Sequence, residues 1–194
     1  MQGEFPSFQK LYSDNQWRQL AYQAALIEAE GYGRWPRIKE IAELAKRMDY
    51  RRVGVAHCAD MRREAALTVQ FLEDYGVVSV LPPESLSGDP AAQAAHFAEQ
   101  ETQFNIIAGM CAGHDALFIR HSKAPVTCLL ARDSKLQHNP VAALYTSGSY
   151  FKKALFEQHR QAIAAEFRGG DPCTVDTLSR DIVREGAGSW CRIE

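Results

Sequence analysis

The chain has 194 residues, of which 46% are hydrophobic and 24% are charged, and its formal net charge is −2. This composition predicts one globular domain of ordinary size and excludes a chain that is disordered throughout. The balance of charges provides no strongly basic surface for nucleic acid. No segment approaches the roughly 18–20 consecutive apolar residues of a membrane span, so we expect neither nucleic acid nor a membrane as a partner.

Two helices are predicted before the first strand. Residues 14–31 carry apolar side chains at helical spacing, Asp14 is a favourable capping residue, and the glycines that follow end the segment. Pro36 suits the first turn of a second helix, whose apolar side chains recur on one face as far as Met48.

Short apolar segments that alternate with helical patterns make up the middle of the chain. The predicted strands are residues 51–58, 77–81, 104–111 and 126–133. The predicted helices are residues 61–75, 91–102 and 115–121, with a further helix from about 140 to about 168. This alternation indicates right-handed βαβ units. We therefore expect a three-layer α/β/α sandwich with a mostly parallel, Rossmann-like sheet of about four strands, preceded by two helices.

The expected organisation is a single α/β domain over residues 1–168. Within it, residues 1–50 form the helical lead-in and residues 51–150 form the sheet core. A Gly-Gly pair begins a C-terminal arm, residues 169–194, which contains Cys173 and Cys191.

Polar side chains are concentrated where the predicted strands end. Open parallel sheets bind ligands beyond the carboxyl ends of their strands. The residues expected at that edge are His57, Cys58, Cys111, His114, Asp115, Asp133, His138 and Asn139. Their grouping predicts a Cys/His site at this edge of the sheet.

Cys111 and His114 are the first candidates for catalysis. They are three residues apart, and a helix that begins just after Cys111 would bring both side chains to one place. A thiolate at a helix N-terminus is stabilised by the helix dipole, which increases its reactivity. Asp115 is the third catalytic candidate, because a carboxylate can fix the tautomer of a histidine. It would equally cap the following helix.

The same residue types suit a metal ion. Sulfur and imidazole are ligands that zinc and related metals accept, and a structural zinc site needs four of them. The proposed set is Cys58, Cys111, His114 and His138, and the expected metal is zinc or iron. Core packing is the alternative for Cys58 and Cys111, and we expect Cys128, inside a strand, to be a core residue.

Further candidates concern a bound small molecule. Lys123 would supply a positive charge to an anionic ligand, or would be a solvated loop residue. Asp133 would hold a histidine in one tautomer.

The cysteines and the N-terminal residues bear on the cellular compartment in which the protein is expected. Five scattered cysteines do not resemble a disulfide framework, so free or functional thiols are expected. Residues 1–16 contain no apolar core typical of a signal peptide, so we expect a cytoplasmic protein.

Residues 32–152 resemble a bacterial family called domain of unknown function 1847, whose members are often described as predicted metal-binding proteins. The resemblance rests on the segments at 111–115, 122–127 and 138–145. It implies a divergent member without the cysteine-rich N-terminal segment of the family. The polar positions that the resemblance implies are Cys58, Cys111, His114, Asp115, Lys123, Asp133, His138 and Asn139, and Asn139 is added on this ground as a ligand-binding candidate.

Three functions compete at this point. The first is binding of zinc or iron at the Cys/His site. The second is a metal-free cysteine-dependent enzyme or redox protein with Cys111 as the reactive thiol. The third is a non-catalytic module that binds a small anion. In each case the expected partner is a small molecule or a metal ion, and the protein is a candidate homo-oligomer.

Overall fold

A computed structural model describes residues 12–157. The chain divides into two compact units between His138 and Asn139, and each unit is described by itself. The predicted arm at residues 169–194, with Cys173 and Cys191, lies outside the described residues. The expected single domain over residues 1–168 stays a prediction.

Two helices precede the sheet, as predicted. Helix α1 spans Asn15–Gly31, and the Asp14 side chain accepts a hydrogen bond from the Gln16 amide at 2.7 Å, so the predicted cap is confirmed. Helix α2 spans Arg37–Arg47 directly after Pro36. None of the helices described between residues 12 and 157 has an apolar stretch long enough to cross a bilayer.

The sheet contains four parallel strands in the order β2-β1-β3-β4. Strand β1 is Val53–Ala56, β2 is Ser79–Val80, β3 is Phe104–Ala108 and β4 is Val126–Leu130. The predicted parallel α/β architecture is therefore confirmed. The strands are shorter than predicted because each predicted range includes residues of the turns next to the strand, such as Arg51 before β1 and Asp133 after β4.

Helices connect successive strands. Helix α3 spans Arg62–Asp74, α4 spans Pro90–Glu99 and α5 spans Ala112–His121, with single 3₁₀ turns at Ala59–Met61 and Glu84–Leu86. Helix α5 was predicted to begin at Asp115, but it begins at Ala112. Cys111 occupies the N-cap position of this helix. The first turn contains only small and polar residues, so it has no apolar pattern from which the start of the helix could be predicted.

The core lies on both faces of the sheet. On one face Val53, Val55 and Ile106 pack with apolar residues of α2 and α3. On the other face Ala56 and Ile107 pack with a group made of Cys58, Met61, Ala94, Phe97, Met110 and Phe118. Neighbouring residues of a strand thus face opposite layers, as the pleat requires. Cys58 belongs to the second layer, and Cys128 packs against it while remaining partly exposed.

The second unit contains a short helix, α6, at Val141–Tyr145, and one π-helical turn at Lys153–Glu157. The predicted continuous helix from about 140 is wrong over the part that the structure describes. The segment Thr146–Ser149 interrupts it with turns, because serine and glycine favour turns over helix interiors.

Candidate functional site

Gly109 shapes the end of strand β3. Its φ is +96°, a conformation that favours glycine, and a Cβ atom there would lie 2.7 Å from the Met61 methyl carbon and 2.9 Å from Leu130 Cδ1. The Cys58 amide donates to the Gly109 carbonyl at 3.0 Å, so β1 and β3 stay paired beyond their last strand residues. This contact brings the segments that carry Cys58 and Cys111 together.

Cys58 and His114 form the central contact of the site. Cys58 Sγ lies 3.7 Å from His114 Nδ1, within hydrogen-bonding distance for sulfur. The side chain of Cys58 is buried, with 7% of its surface exposed. A hydrogen bond from the backbone of Cys111 to the same sulfur acts to lower the pKa of the Cys58 thiol. Two groups from the start of α5 therefore hold the thiol that follows β1.

The surroundings of Cys58 favour the protonated thiol at rest. Burial raises the pKa of the Cys58 thiol above its ordinary value, and the hydrogen bond from the Cys111 amide opposes this rise. The charges of Cys111 and Asp60 raise this pKa further, whereas that of Arg132 lowers it. The imidazole of His114 is consequently the group placed to accept the proton.

Cys111 occupies the N-cap position of helix α5. Its side chain is half-buried and makes no capping hydrogen bond. The predicted pairing of Cys111 with His114 stays a prediction, whereas His114 contacts Cys58, another residue of the predicted site. The reason is geometric, because His114 lies in the first turn of α5 and that turn faces the end of β1.

Asp115 is not engaged as predicted. Its carboxylate oxygen Oδ1 is buried and has no hydrogen-bond partner among the residues that the structure describes. Burial raises the pKa of Asp115, and the charge of His114 opposes this. Burial also raises the pKa of the Cys128 thiol, and the charge of Asp115 adds to that rise.

Asp133 and His138 build a turn together. The Asp133 amide donates to His138 Nδ1 at 3.2 Å, and the His138 amide donates to the Asp133 carbonyl at 2.8 Å. The Asp133 carboxylate accepts the amides of Lys135 and Leu136, each at 3.0 Å. Asp133 therefore orients His138 mainly through its backbone, and its carboxylate stabilises the loop after β4.

Lys123 lies at the wrong edge of the sheet for the predicted ligand site. It is exposed and precedes β4, whereas Cys58 follows β1. Because the strands are parallel, these positions are at opposite ends of the sheet. Asn139 is exposed and begins the second unit, where its carbonyl accepts the Ala142 amide at 3.1 Å.

The four predicted metal ligands do not form a preorganised site. In the described part of the chain, no group of three or more His, Cys, Asp or Glu side chains is arranged to hold a metal ion. Cys58 and His114 supply one sulfur and one nitrogen, and Nδ1 of His138 is engaged by the Asp133 amide. A catalytic zinc site needs three protein ligands, so this arrangement falls short of one. Binding of zinc or iron stays a prediction.

The structure adds two residues that sequence reasoning missed, Asp60 and Arg132. An Arg132 guanidinium nitrogen lies 2.5 Å from Asp60 Oδ2. The Arg132 amide donates to the Met110 carbonyl at 3.0 Å, which places Arg132 beside the end of β3. Each residue follows the end of a strand by only a few positions, and this was the available signal.

Comparisons with known proteins agree with the resemblance seen in the sequence. The chain matches the family described as a protein of unknown function (DUF1847) over residues 2–83 and 78–129. It is similar to the uncharacterised protein MJ0455 of Methanocaldococcus jannaschii, with 34% identity over 157 residues, 71% of this chain and 80% of the relative. That organism is an archaeon, so a bacterial origin stays a prediction. No solved structure gives a significant match. The chain belongs to this family of proteins of unknown function.

Proposed function

We propose that this protein is a cysteine-dependent enzyme that uses Cys58 as nucleophile and His114 as general base. The observation that supports this is the 3.7 Å contact between Cys58 Sγ and His114 Nδ1 at the carboxyl edge of the sheet. A thiol next to an imidazole is the usual arrangement for activating sulfur. The position agrees with the place where open parallel sheets bind ligands.

The reaction step follows from the resting protonation state. Because the buried Cys58 thiol is held protonated, attack requires transfer of its proton to the His114 imidazole as sulfur bonds to an electrophilic carbon of the substrate. The bond from that carbon to the leaving group breaks, and the imidazolium returns the proton to the leaving group. The Cys111 amide stabilises negative charge that develops on the sulfur.

The sequence analysis predicted Cys111 as the reactive thiol, whereas this proposal assigns that role to Cys58. Two features of Cys111 suit a supporting role: its backbone hydrogen bond lowers the pKa of the Cys58 thiol, and its side chain is half-buried at the start of α5. Its thiol lies close enough for its charge to raise the pKa of Cys58.

The test is site-resolved alkylation of the native protein with iodoacetamide at pH 7, followed by mass spectrometry of each cysteine peptide. We expect Cys58 to react at least about tenfold faster than Cys128, the internal reference, and the His114→Asn variant to lose this advantage. The pKa of the Cys128 thiol is also raised by burial, so Cys128 controls for a thiol held protonated, and it is more exposed than Cys58. If Cys58 reacts no faster than Cys128 in the folded protein, the proposal is wrong.

Metal binding is the second candidate, favoured by the sulfur and nitrogen donors of Cys58 and His114 and by the family resemblance. A third ligand would have to come from a rearranged side chain, and Cys111 is adjacent. Elemental analysis of untagged protein, with Cys58→Ser beside wild type, tests this. Stoichiometric zinc or iron that the variant loses would support metal binding over the metal-free enzyme.

A further inference from the structure

Arg132 supplies a positive charge beside the Cys58 sulfur. Its backbone is bound to the Met110 carbonyl at 3.0 Å, one residue before Cys111. Its charge acts on the Cys58 thiol, and its guanidinium pairs with Asp60, two residues after Cys58. The side chain of Arg132, in the loop that follows β4, is thus held near Cys58 by its ion pair with Asp60.

The guanidinium of Arg132 has unused hydrogen-bonding capacity. Its Nε is buried and has no acceptor among the described residues, although a buried donor without a partner is costly. The side chain as a whole keeps 30% of its surface exposed, so solvent reaches part of it. A guanidinium offers five N–H donors in a planar fork, which matches carboxylate and phosphate groups. Asp60 occupies part of this fork.

We propose that the substrate of the Cys58 centre carries a carboxylate or a phosphate, and that Arg132 binds this anionic group while Asp60 holds Arg132 in place when the site is empty. The inference rests on the proposed function and specifies its substrate class. Lys123, the cation predicted for this role, lies at the other edge of the sheet. Arg132 is the cation that the fold places beside the reactive sulfur.

The two members of the charge pair should have opposite effects. Arg132→Gln removes the cation and should weaken binding of an anion near Cys58. Asp60→Asn removes the competing carboxylate, leaves the guanidinium unpaired and should strengthen that binding. A purely structural salt bridge would give changes in the same direction, since either substitution breaks it.

Iodoacetate and iodoacetamide provide the probe. Both form the same bond to the Cys58 sulfur and release iodide, but only iodoacetate carries a carboxylate. The measured quantity is the ratio of the two rates at Cys58, with Cys58 in the urea-unfolded protein as reference. We expect the ratio to exceed the reference in wild type, to fall about tenfold in Arg132→Gln and to rise in Asp60→Asn. Arg132→Lys keeps the charge and should lie between wild type and Arg132→Gln.

The outcomes separate this inference from the proposed function. Fast reaction of Cys58 with iodoacetamide, together with a rate ratio equal to the reference, overturns the anionic substrate and leaves the cysteine enzyme intact. A ratio that Asp60→Asn leaves unchanged or lowers also overturns it, even if Arg132→Gln fails to fold. Slow reaction of Cys58 with iodoacetamide removes the proposed function and this inference with it.

Competition between free anions and iodoacetate shows whether Arg132 prefers a phosphate or a carboxylate. Inorganic phosphate and acetate, compared at equal ionic strength, should slow alkylation of wild-type Cys58 by iodoacetate, and the stronger competitor identifies the preferred group. Neither should slow it in Arg132→Gln. Equal rates with and without both anions in the wild type would count against the inference.

Discussion

Cys58 and His114 are 56 positions apart in the chain, yet the sulfur of one lies 3.7 Å from Nδ1 of the other. Cys58 follows strand β1, and His114 lies in the first turn of the helix after β3. Because β1 and β3 are adjacent and parallel, both residues emerge at the same edge of the sheet. The contact is therefore a direct consequence of strand order.

The raised pKa of the Cys58 thiol should make the protein less stable in alkali. A raised pKa in the folded state means that the native protein holds the Cys58 proton more tightly than the unfolded chain does. This contribution is fully present below the ordinary thiol pKa of about 8.5 and is lost as pH rises through the folded value. We expect the free energy of unfolding, measured by urea titration with reductant, to fall between about pH 8 and pH 10.

Cys58→Ala should make that fall shallower, because the substitution removes one titrating group. Tyr50 and Cys128, whose pKa values are also raised by burial, leave a residual slope. An unchanged slope in Cys58→Ala would show that Cys58 is not held protonated.

Asp115→Asn should stabilise the protein at neutral pH. The carboxylate is half-buried with an unpartnered oxygen, and its pKa is raised, so ionisation above that pKa costs stability. An amide of similar shape removes this cost. The gain should disappear as pH falls towards the ordinary carboxyl pKa of about 3.9, where Asp115 is itself protonated in the native state.

Asp133→Ala is the matched control for Asp115→Asn. Asp133 accepts the amides of Lys135 and Leu136, so its removal should lower the free energy of unfolding by about 1 kcal/mol at pH 7. Chemical denaturation of both variants at pH 4 and pH 7 gives the comparison. A loss of stability in Asp115→Asn at pH 7 would mean that its carboxylate has a favourable partner in solution.

Gly109→Ala should destabilise the end of β3. The backbone conformation at φ +96° is strained for alanine, and the new methyl group would press on Met61 and Leu130. Strain and overpacking together should cost about 2–4 kcal/mol. Gly33→Ala is the control, because φ there is +67° and an added methyl group would have no atom within 4 Å, so only the conformational cost of about 1 kcal/mol is expected.

The comparison of these two glycine variants measures how much more stability is lost where the added methyl group also meets Met61 and Leu130. Urea denaturation of each gives the difference. Equal losses of stability would show that Met61 and Leu130 can move aside.

Arg37→Gln should loosen the edge strand. Its guanidinium donates to the Cys128 carbonyl at 2.7 Å and to Thr127 Oγ1 at 3.0 Å, linking α2 to β4. We expect faster amide hydrogen exchange in Val126–Leu130 and a loss of about 1 kcal/mol. Arg63→Gln, at an exposed position of α3, should change neither quantity. Unaltered exchange in β4 with Arg37→Gln would show that the strand does not depend on this contact.

The elements were predictable because their signals are local. Apolar spacing and the capping residue Asp14 placed helix α1, and the alternation of helices and strands predicted the parallel sheet. The start of α5 was missed by three residues because a polar first turn has no apolar pattern. The helix expected beyond residue 140 failed where serine and glycine interrupt it.

The sequence by itself determined the layered fold and the edge of the sheet at which Cys58, Cys111 and His114 emerge, since both follow from residue patterns within short segments. Only the tertiary structure decided that His114 contacts Cys58, that Arg132 pairs with Asp60 beside that thiol, and that Lys123 is remote from it. These relationships depend on strand order and register, which bring together residues that no local pattern connects.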